Sequence, residues 1–261
     1  MGKLQDLFTQ VRRAQSGGGI GFVGKSKSLT KPRAAALVVA LNDFDAGTAE
    51  AAVKAGADGL LFSWDGQDAS ELETLSKTIE AAQTGNENLI CGLNITGGWD
   101  KLERENVEHF KELGLNFVVI PLQAPARLLA LKIKDLELAV SVPMREGDMY
   151  PIFIRNLTAF DNIAAVQLDF WLAGEVSSMS IEDVLHYRAV REAVRYPALL
   201  NVRENMTEDD AFTFMTLGVQ AVILTPSGTS TKMSQQIQSL REVLEKVHQD
   251  EKEATNTPGR G

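Results

Sequence analysis

Eight short apolar runs alternate with helical patterns along the chain and predict an α/β protein, a single (β/α)8 barrel of the TIM type. Three similar segments, AGADGLLF, LGLNFVVI and LGVQAVIL, each end a helix with glycine and enter a strand, starting at positions 55, 113 and 217. Their spacing equals two and four β/α units of about 26 to 29 residues. A right-handed series of such units closes into a barrel, whereas an open doubly wound sheet is the competing architecture.

The strands are predicted from apolar runs bounded by glycine or polar residues. Because each pair of runs is joined by a helical crossover, the strands should lie parallel and be buried on both faces. The predicted strands are residues 35–41, 59–62, 89–94, 117–120, 136–142, 164–169, 198–202 and 221–224.

The helices are predicted from apolar residues at helical spacing and from signals at their ends. In the seventh unit, Thr207 followed by three acidic residues is typical of a helix N-terminus, and Gly218 ends that helix. The pattern after the fourth strand is the shortest. The predicted helices are residues 48–55, 69–82, 101–113, 125–131, 150–158, 181–195, 207–217 and 232–248.

The predicted barrel spans residues 34–248 and has an addition at each end. Apolar residues in the segment 3–14 fall at i, i+3, i+4 and i+7, which predicts an amphipathic helix. This helix closes the barrel floor or contacts a second subunit of a homo-oligomer. With the glycine-rich segment that follows, it forms an N-terminal region of residues 1–33. Residues 249–261 are polar without an apolar face and predict a disordered tail.

The segment GIGFVGKS, residues 19–26, satisfies both the G-x-G-x-x-G pattern and the Walker A spacing. A phosphate-binding loop of either kind needs a buried strand before it and a helix after it. Here a polar helical pattern precedes the segment, and Pro32 follows too soon for a helix of normal length. The segment is therefore interpreted as a glycine-rich hairpin or barrel plug.

Composition narrows the function classes. A net charge of −9 without clusters of lysine and arginine argues against a nucleic-acid partner. No apolar run reaches the ~18 residues of a membrane-spanning helix, and the polar N-terminus lacks a secretory segment. The single cysteine, Cys91, excludes an internal disulfide. These features predict a cytoplasmic protein with no membrane partner.

Ligands of such barrels bind at the C-terminal ends of the strands, so the residues that end each apolar run are the candidates. The three tryptophans all fall there and could stack on a flat ring; alternatively, they anchor loops or form a subunit contact. The candidate substrate-binding residues are Arg203, Asn201, Asn94, Trp64, Trp99 and Trp171.

Strand alternation predicts that Gln167 and Asp169 share one side of the sixth strand, and that Asn201 and Arg203 share one side of the seventh. Asp169 is then a candidate catalytic base or metal ligand, and Arg203 would bind an anion. An ion pair between the two is the alternative, because buried charges need partners. Glu204 is the second candidate for proton transfer.

Glu146 and Asp169 end neighbouring strands and could hold Mg²⁺, but neither has a second carboxylate beside it. We therefore predict no metal site. The three histidines fall within predicted helices, which argues against zinc or Ser/His/Asp chemistry. No lysine ends a strand, which argues against a Schiff-base aldolase, and no carboxylate pair indicates a glycosidase.

The loop after the last strand offers hydroxyl and backbone N–H groups at the start of a helix, where a phosphate is stabilised. With this loop, the segments AEAAVKAGADGLLF and YPALLNVRENMTEDDAFTFMTLGVQAVILTPSG resemble the phosphate-binding barrels, which include flavin-linked nitronate monooxygenases and small synthases and isomerases. Those families place glycine-rich turns after strands seven and eight. Here charged residues replace the first turn, so the resemblance implies anion or FMN binding only by Ser227, Gly228 and Thr229.

Three functions are compatible with these observations. The first is a cytoplasmic enzyme of lyase or isomerase type that binds a small anionic, phosphorylated metabolite. The second is an FMN-dependent oxidoreductase. The third is a non-catalytic barrel that serves as a binding or assembly module.

Overall fold

A computed structural model shows a closed barrel of eight parallel strands, in which each strand pairs with the next and the last pairs with the first. The structure describes residues 2–15, 33–145, 147, 149–169, 180–202, 206–207, 209–211, 213 and 217–255. The strands are β1 (Ala36–Leu41), β2 (Gly59–Trp64), β3 (Ile90–Ile95), β4 (Phe117–Pro121), β5 (Glu137–Pro143), β6 (Ile163–Asp169), β7 (Ala198–Val202) and β8 (Ala221–Leu224). Every predicted strand is present, with its ends within two residues of the prediction.

The helices cover the outside of the barrel, apart from the first. They are α1 (Lys3–Gln15), α2 (Ala46–Lys54), α3 (Glu71–Thr84), α4 (Arg104–Glu112), α5 (Tyr150–Ile154), α6 (Ile181–Val194) and α7 (Ser230–Thr255). Short 3-10 helices occupy Trp99–Lys101, Ala126–Ala130 and Arg155–Ala159. Residues 209–211 and 213, between β7 and β8, are also helical.

Three predicted helices differ from the structure. In the fifth, predicted over residues 150–158, the α-helix ends at Ile154 and is followed by the 3-10 helix Arg155–Ala159. The predicted helix 101–113 is interrupted at Leu102, whose backbone is extended, and α4 begins only after Glu103, whose N–H donates to Asn106 Oδ1. After β4 there is only the 3-10 helix Ala126–Ala130, because the segment is too short for an α-helix that spans the barrel wall.

Two apolar layers hold the barrel together. Alternate residues of each strand face outwards and pack against the helices, as Leu60 and Phe62 of β2 do. The intervening residues, such as Leu61 and Phe117, fill the lower part of the barrel interior. This alternation decides which strand-end side chains can face a ligand at the barrel mouth.

Helix α1 closes the N-terminal end of the barrel. Its apolar stripe of Leu4, Leu7, Phe8 and Val11 packs into the interior layer beneath the strands. Glu137 at the start of β5 accepts hydrogen bonds from the N–H groups of Leu4 (2.7 Å) and Gln5 (3.3 Å). The first of the two roles predicted for this helix, closure of the floor, is the one observed.

Several predicted features lie outside the described residues. They include the glycine-rich segment 19–26 and the last residues of the chain, 256–261. Helix α7 continues past His248 to Thr255, into the segment predicted as a tail. In the part of the chain that the structure describes, no helix combines the length and apolar character needed to cross a membrane.

Candidate functional site

A polar cavity of about 240 Å³ opens at the C-terminal ends of the strands, opposite α1. Its base is formed by apolar side chains of the interior layer, Ala40, Leu61 and Ile223. The polar lining consists of uncharged amide and hydroxyl side chains that belong to, or directly follow, seven of the eight strands, all except β4: Asn42, Ser63, Asn94, Ser141, Gln167, Asn201 and Thr225.

Strand register explains why these side chains meet. Ser63 of β2 is the register partner of Asn94 of β3, and Ser141 of β5 is the partner of Gln167 of β6. Each polar residue of this layer lies two positions beyond a side chain or glycine of the apolar interior layer, as Ser63 follows Leu61. The sequence thus changes from apolar to polar within each strand, at one height in the barrel.

Gln167 is the most deeply placed polar residue of the cavity, with 8% of its surface exposed. Its Nε2 donates to Asn201 Oδ1 at 3.2 Å. Among the described residues, Gln167 Oε1 has no hydrogen-bond partner although it is buried. A buried acceptor in this state costs about 1–3 kcal/mol, so a donor supplied by a ligand or water would be stabilising.

Trp64 lies outside the cavity, contrary to the stacking role expected for it. It follows Ser63 by one residue and therefore faces the helices, where its ring meets Phe110 edge-on at 5.7 Å. Its Nε1 donates to the carbonyl of Asp68 at 3.1 Å, within its own loop. Trp64 thus anchors the loop after β2, which matches the alternative considered for the tryptophans.

Trp99 has a similar structural role and does not line the cavity. Its Nε1 donates to the carbonyl of Ile95 at 2.8 Å, and its half-buried ring packs on the outer apolar layer. Arg127 donates to the carbonyls of Trp99 (3.4 Å) and Asp100 (2.7 Å), tying this loop to the segment after β4. Trp171 lies outside the described residues.

The loops after β2 and β3 touch each other along their backbones. Thr96 donates from its N–H to the carbonyl of Trp64 at 2.8 Å. Gly66 and Gly98 both have positive φ, and a Cβ on Gly98 would lie 2.5 Å from the carbonyl oxygen of Gly66. Only glycine fits this contact, which fixes one side of the cavity rim.

The predicted anion turn, Ser227 to Thr229, lies exposed at the start of α7. The N–H of Ser227 donates to Gln236 Oε1 at 3.1 Å, and the carbonyl of Thr229 accepts from Met233 in the first helical turn. Gly228 has a φ of +92°, and the stem of Lys232 packs beside it. The turn thus combines a helix N-terminus with a nearby lysine, both of which favour an anion.

The residues expected to transfer a proton are only partly described. The backbone of Asp169 ends β6 in register with Pro143, two residues beyond Gln167. Arg203, Glu204 and Glu146 lie outside the described residues. Among the residues that are described, no group of three or more His, Cys, Asp or Glu side chains is arranged to hold a metal ion.

The cavity therefore contains two of the predicted substrate-binding residues, Asn94 and Asn201, together with side chains that the prediction left out. Ser141 was missed because the fifth strand was read to its apolar end at Val142, although alternation from Ala139 would have placed Ser141 inside. Ser63 lines the cavity, whereas the prediction names its larger neighbour Trp64.

No family model matches the chain, and no curated protein matches its sequence. Among solved structures, Mycobacterium tuberculosis tryptophan synthase is similar with a TM-score of 0.62 and 14% identity, over 94% of this chain and 98% of that one. The HpcH/HpaI aldolase from Desulfitobacterium hafniense DCB-2 is similar with a TM-score of 0.52 and 11% identity, over 87% and 95% of the two chains.

The homocysteine methyltransferase MmuM from Escherichia coli is similar with a TM-score of 0.55 and 12% identity, over 82% of this chain and 98% of that one. At such identities the likeness concerns the fold, and it agrees with the closed strand order described above. The chain is a (β/α)8 barrel.

Proposed function

We propose that the protein is a small-molecule enzyme of lyase or isomerase type, acting on an anionic, phosphorylated metabolite at the barrel mouth. The observation that carries this proposal is the cavity itself. It lies at the C-terminal ends of the strands, where barrels of this class hold their substrates, and its lining comes from strands around the barrel. Its volume of about 240 Å³ favours a small ligand.

The similar structures favour the same class of chemistry. They include an aldolase, which is a lyase, and tryptophan synthase. Both are barrels that act on small molecules, so they support an enzyme over an assembly module.

The ligand's anionic group would lie at the turn of Ser227, Gly228 and Thr229. The N-terminus of α7 supplies a positive dipole end there, and Lys232 adds a charge in the first turn. Arg203, which follows β7, would take part in the same grip. The uncharged part of the ligand would extend into the cavity over Asn94 and Asn201.

Asp169 or Glu204 would move the proton that lyase and isomerase reactions require. Asp169 ends β6 two residues beyond Gln167, and Glu204 comes three residues after Asn201, so a carboxylate at either position would belong to the end of the barrel where the cavity opens. A carbonyl compound held in the cavity would then lose or gain a proton at the carbon next to its carbonyl group.

This function can be tested by solvent exchange. The protein is incubated in D₂O with a panel of three- to six-carbon aldose and ketose phosphates, and mass spectrometry follows deuterium uptake at carbon. We expect exchange with at least one compound, and a reduction of about 100-fold or more in Asp169→Asn or Glu204→Gln. Glu112→Gln is the matched control, because that carboxylate lies exposed on α4 outside the barrel.

Exchange that is equal in wild type and in both carboxylate variants would reject the assigned proton-moving residues. If no compound exchanges and native mass spectrometry of gently purified protein detects no retained ligand, the proposed enzyme class is wrong. A retained mass equal to FMN, with flavin absorption, would favour the oxidoreductase instead.

A further inference from the structure

The polar lining of the mouth cavity carries no charge among the described residues. It consists of amides (Asn42, Asn94, Gln167, Asn201) and hydroxyls (Ser63, Ser141, Thr225). Every one of these groups can both donate and accept a hydrogen bond. An anion offers acceptors only and a cation offers donors only, so either would leave part of this lining unmatched. A ligand hydroxyl both donates and accepts, and it complements the whole set.

Gln167 indicates most specifically which hydrogen-bonding group a ligand should carry. Its side chain is more than nine-tenths buried, its Nε2 is used by Asn201, and its Oε1 meets no donor among the described residues. An O–H group of a ligand in the cavity would satisfy this oxygen, whereas a phosphate or carboxylate oxygen would repel it.

The size of the cavity favours a short ligand, because its volume is about 240 Å³. Ser63 on β2 and Gln167 on β6 lie four strands apart in the closed order of eight, so they stand on opposite walls. A short chain of hydroxyl-bearing carbons can therefore contact both walls at once.

We infer that the mouth cavity binds a short polyhydroxylated carbon chain, with Gln167 accepting a hydrogen bond from one of its hydroxyl groups. The inference rests on the proposed function, in which the same cavity holds the uncharged part of the substrate. It narrows the substrate class to phosphorylated sugars and sugar-like hydroxy compounds, and it excludes fatty or aromatic carbon skeletons.

The test measures binding of two separate probes, erythritol and inorganic phosphate, by saturation-transfer NMR and thermal shift. Erythritol should bind wild type, and Gln167→Leu should weaken it about three- to tenfold, the effect of one neutral hydrogen bond. Gln238→Leu is the matched control, because it makes the same substitution at a residue that is exposed on α7. Ser141→Ala provides a milder cavity variant should Gln167→Leu fail to fold, and it should weaken erythritol in the same direction.

The two probes separate the inference from the proposed function. If erythritol does not bind wild type, or binds it and both cavity variants equally, the inference is wrong, whatever phosphate does. If erythritol binds as expected but phosphate does not bind wild type, or its binding is unchanged by Ser227→Ala and Arg203→Ala, the polyol site is supported and the proposed anion-binding site is wrong.

Discussion

Removing the side chain of Phe8 tests how strongly α1 is built into the barrel. Phe8 is fully buried and packs with residues such as Leu61 and Phe117 in the interior layer. Replacing a buried phenylalanine by alanine costs about 3–5 kcal/mol, because it removes apolar contacts and leaves a cavity. For a chain of this size, each kcal/mol lowers Tm by about 2–4 °C, so Phe8→Ala should lower Tm by about 6–20 °C.

The free energy of unfolding would be measured by urea denaturation, followed by circular dichroism and by tryptophan fluorescence. Coincident transitions would justify a two-state analysis. Phe153→Ala is the control, because Phe153 is 63% exposed on α5 and its loss should change stability by no more than about 0.5 kcal/mol. Equal destabilisation by the two substitutions would refute the assignment of α1 to the barrel core.

Three further predictions concern single residues. Gly98→Ala should cost about 1–3 kcal/mol in urea denaturation, because φ is +65° and the new Cβ would meet the Gly66 carbonyl. Gly85→Ala is the control, because φ is −84° there and a new Cβ would make only ordinary contacts, so this substitution should be neutral or slightly stabilising. If both substitutions changed the free energy of unfolding equally, the close contact between the loops after β2 and β3 would be contradicted. Burial raises the pKa of the Cys91 thiol to about 12, so iodoacetamide at pH 8 should modify Cys91 only in unfolded protein; rapid reaction of native protein would show that it is accessible. Burial also raises the pKa of Glu137 above its usual 4.5, so its contribution to stability is complete below pH 4.5 and is lost as pH rises through the folded-state pKa. The free energy of unfolding of wild type minus that of Glu137→Gln should accordingly decrease between pH 4 and neutrality. An increase of this difference with pH would contradict the raised pKa of Glu137.

The strand pattern could be predicted because each strand is buried on both faces. Such strands appear in the sequence as continuous apolar runs, and glycine at the helix ends separates them from the preceding helix. The segment after β4 was harder to assign, because Ala126–Ala130 contains helix-forming residues but is long enough for only one turn. Whether such a turn is α or 3-10 depends on the space left between its neighbours, which the sequence does not specify.

The candidate site was only partly predictable, for a reason that concerns side-chain direction. The predicted end of the second strand, residue 62, lies two residues before the end of β2 at Trp64, and a shift of one residue already exchanges the inner and outer faces of a strand. The chemistry of the large aromatic side chain favoured Trp64 as a ligand contact, but its ring packs against Phe110, and its small neighbour Ser63 faces the cavity. The residue two positions after an apolar interior residue, such as Leu61 or Ala139, faces the same side of the strand and so lines the cavity. This alternation identifies the polar residues of the cavity more reliably than the chemistry of the side chains does.

Polar side chains at the ends of the strands line one cavity, and we propose that a ligand binds there. Because Cys91 is buried, the thiol introduced by Ser141→Cys can be alkylated separately, and its reaction rate reports access to the cavity. We predict that iodoacetamide modifies this thiol in the native protein and that saturating erythritol slows the reaction. The thiol introduced by Ser239→Cys, exposed on α7, should react at the same rate with or without erythritol. A Ser141→Cys thiol that reacts no faster than Cys91, or that erythritol leaves unprotected, would contradict the claim.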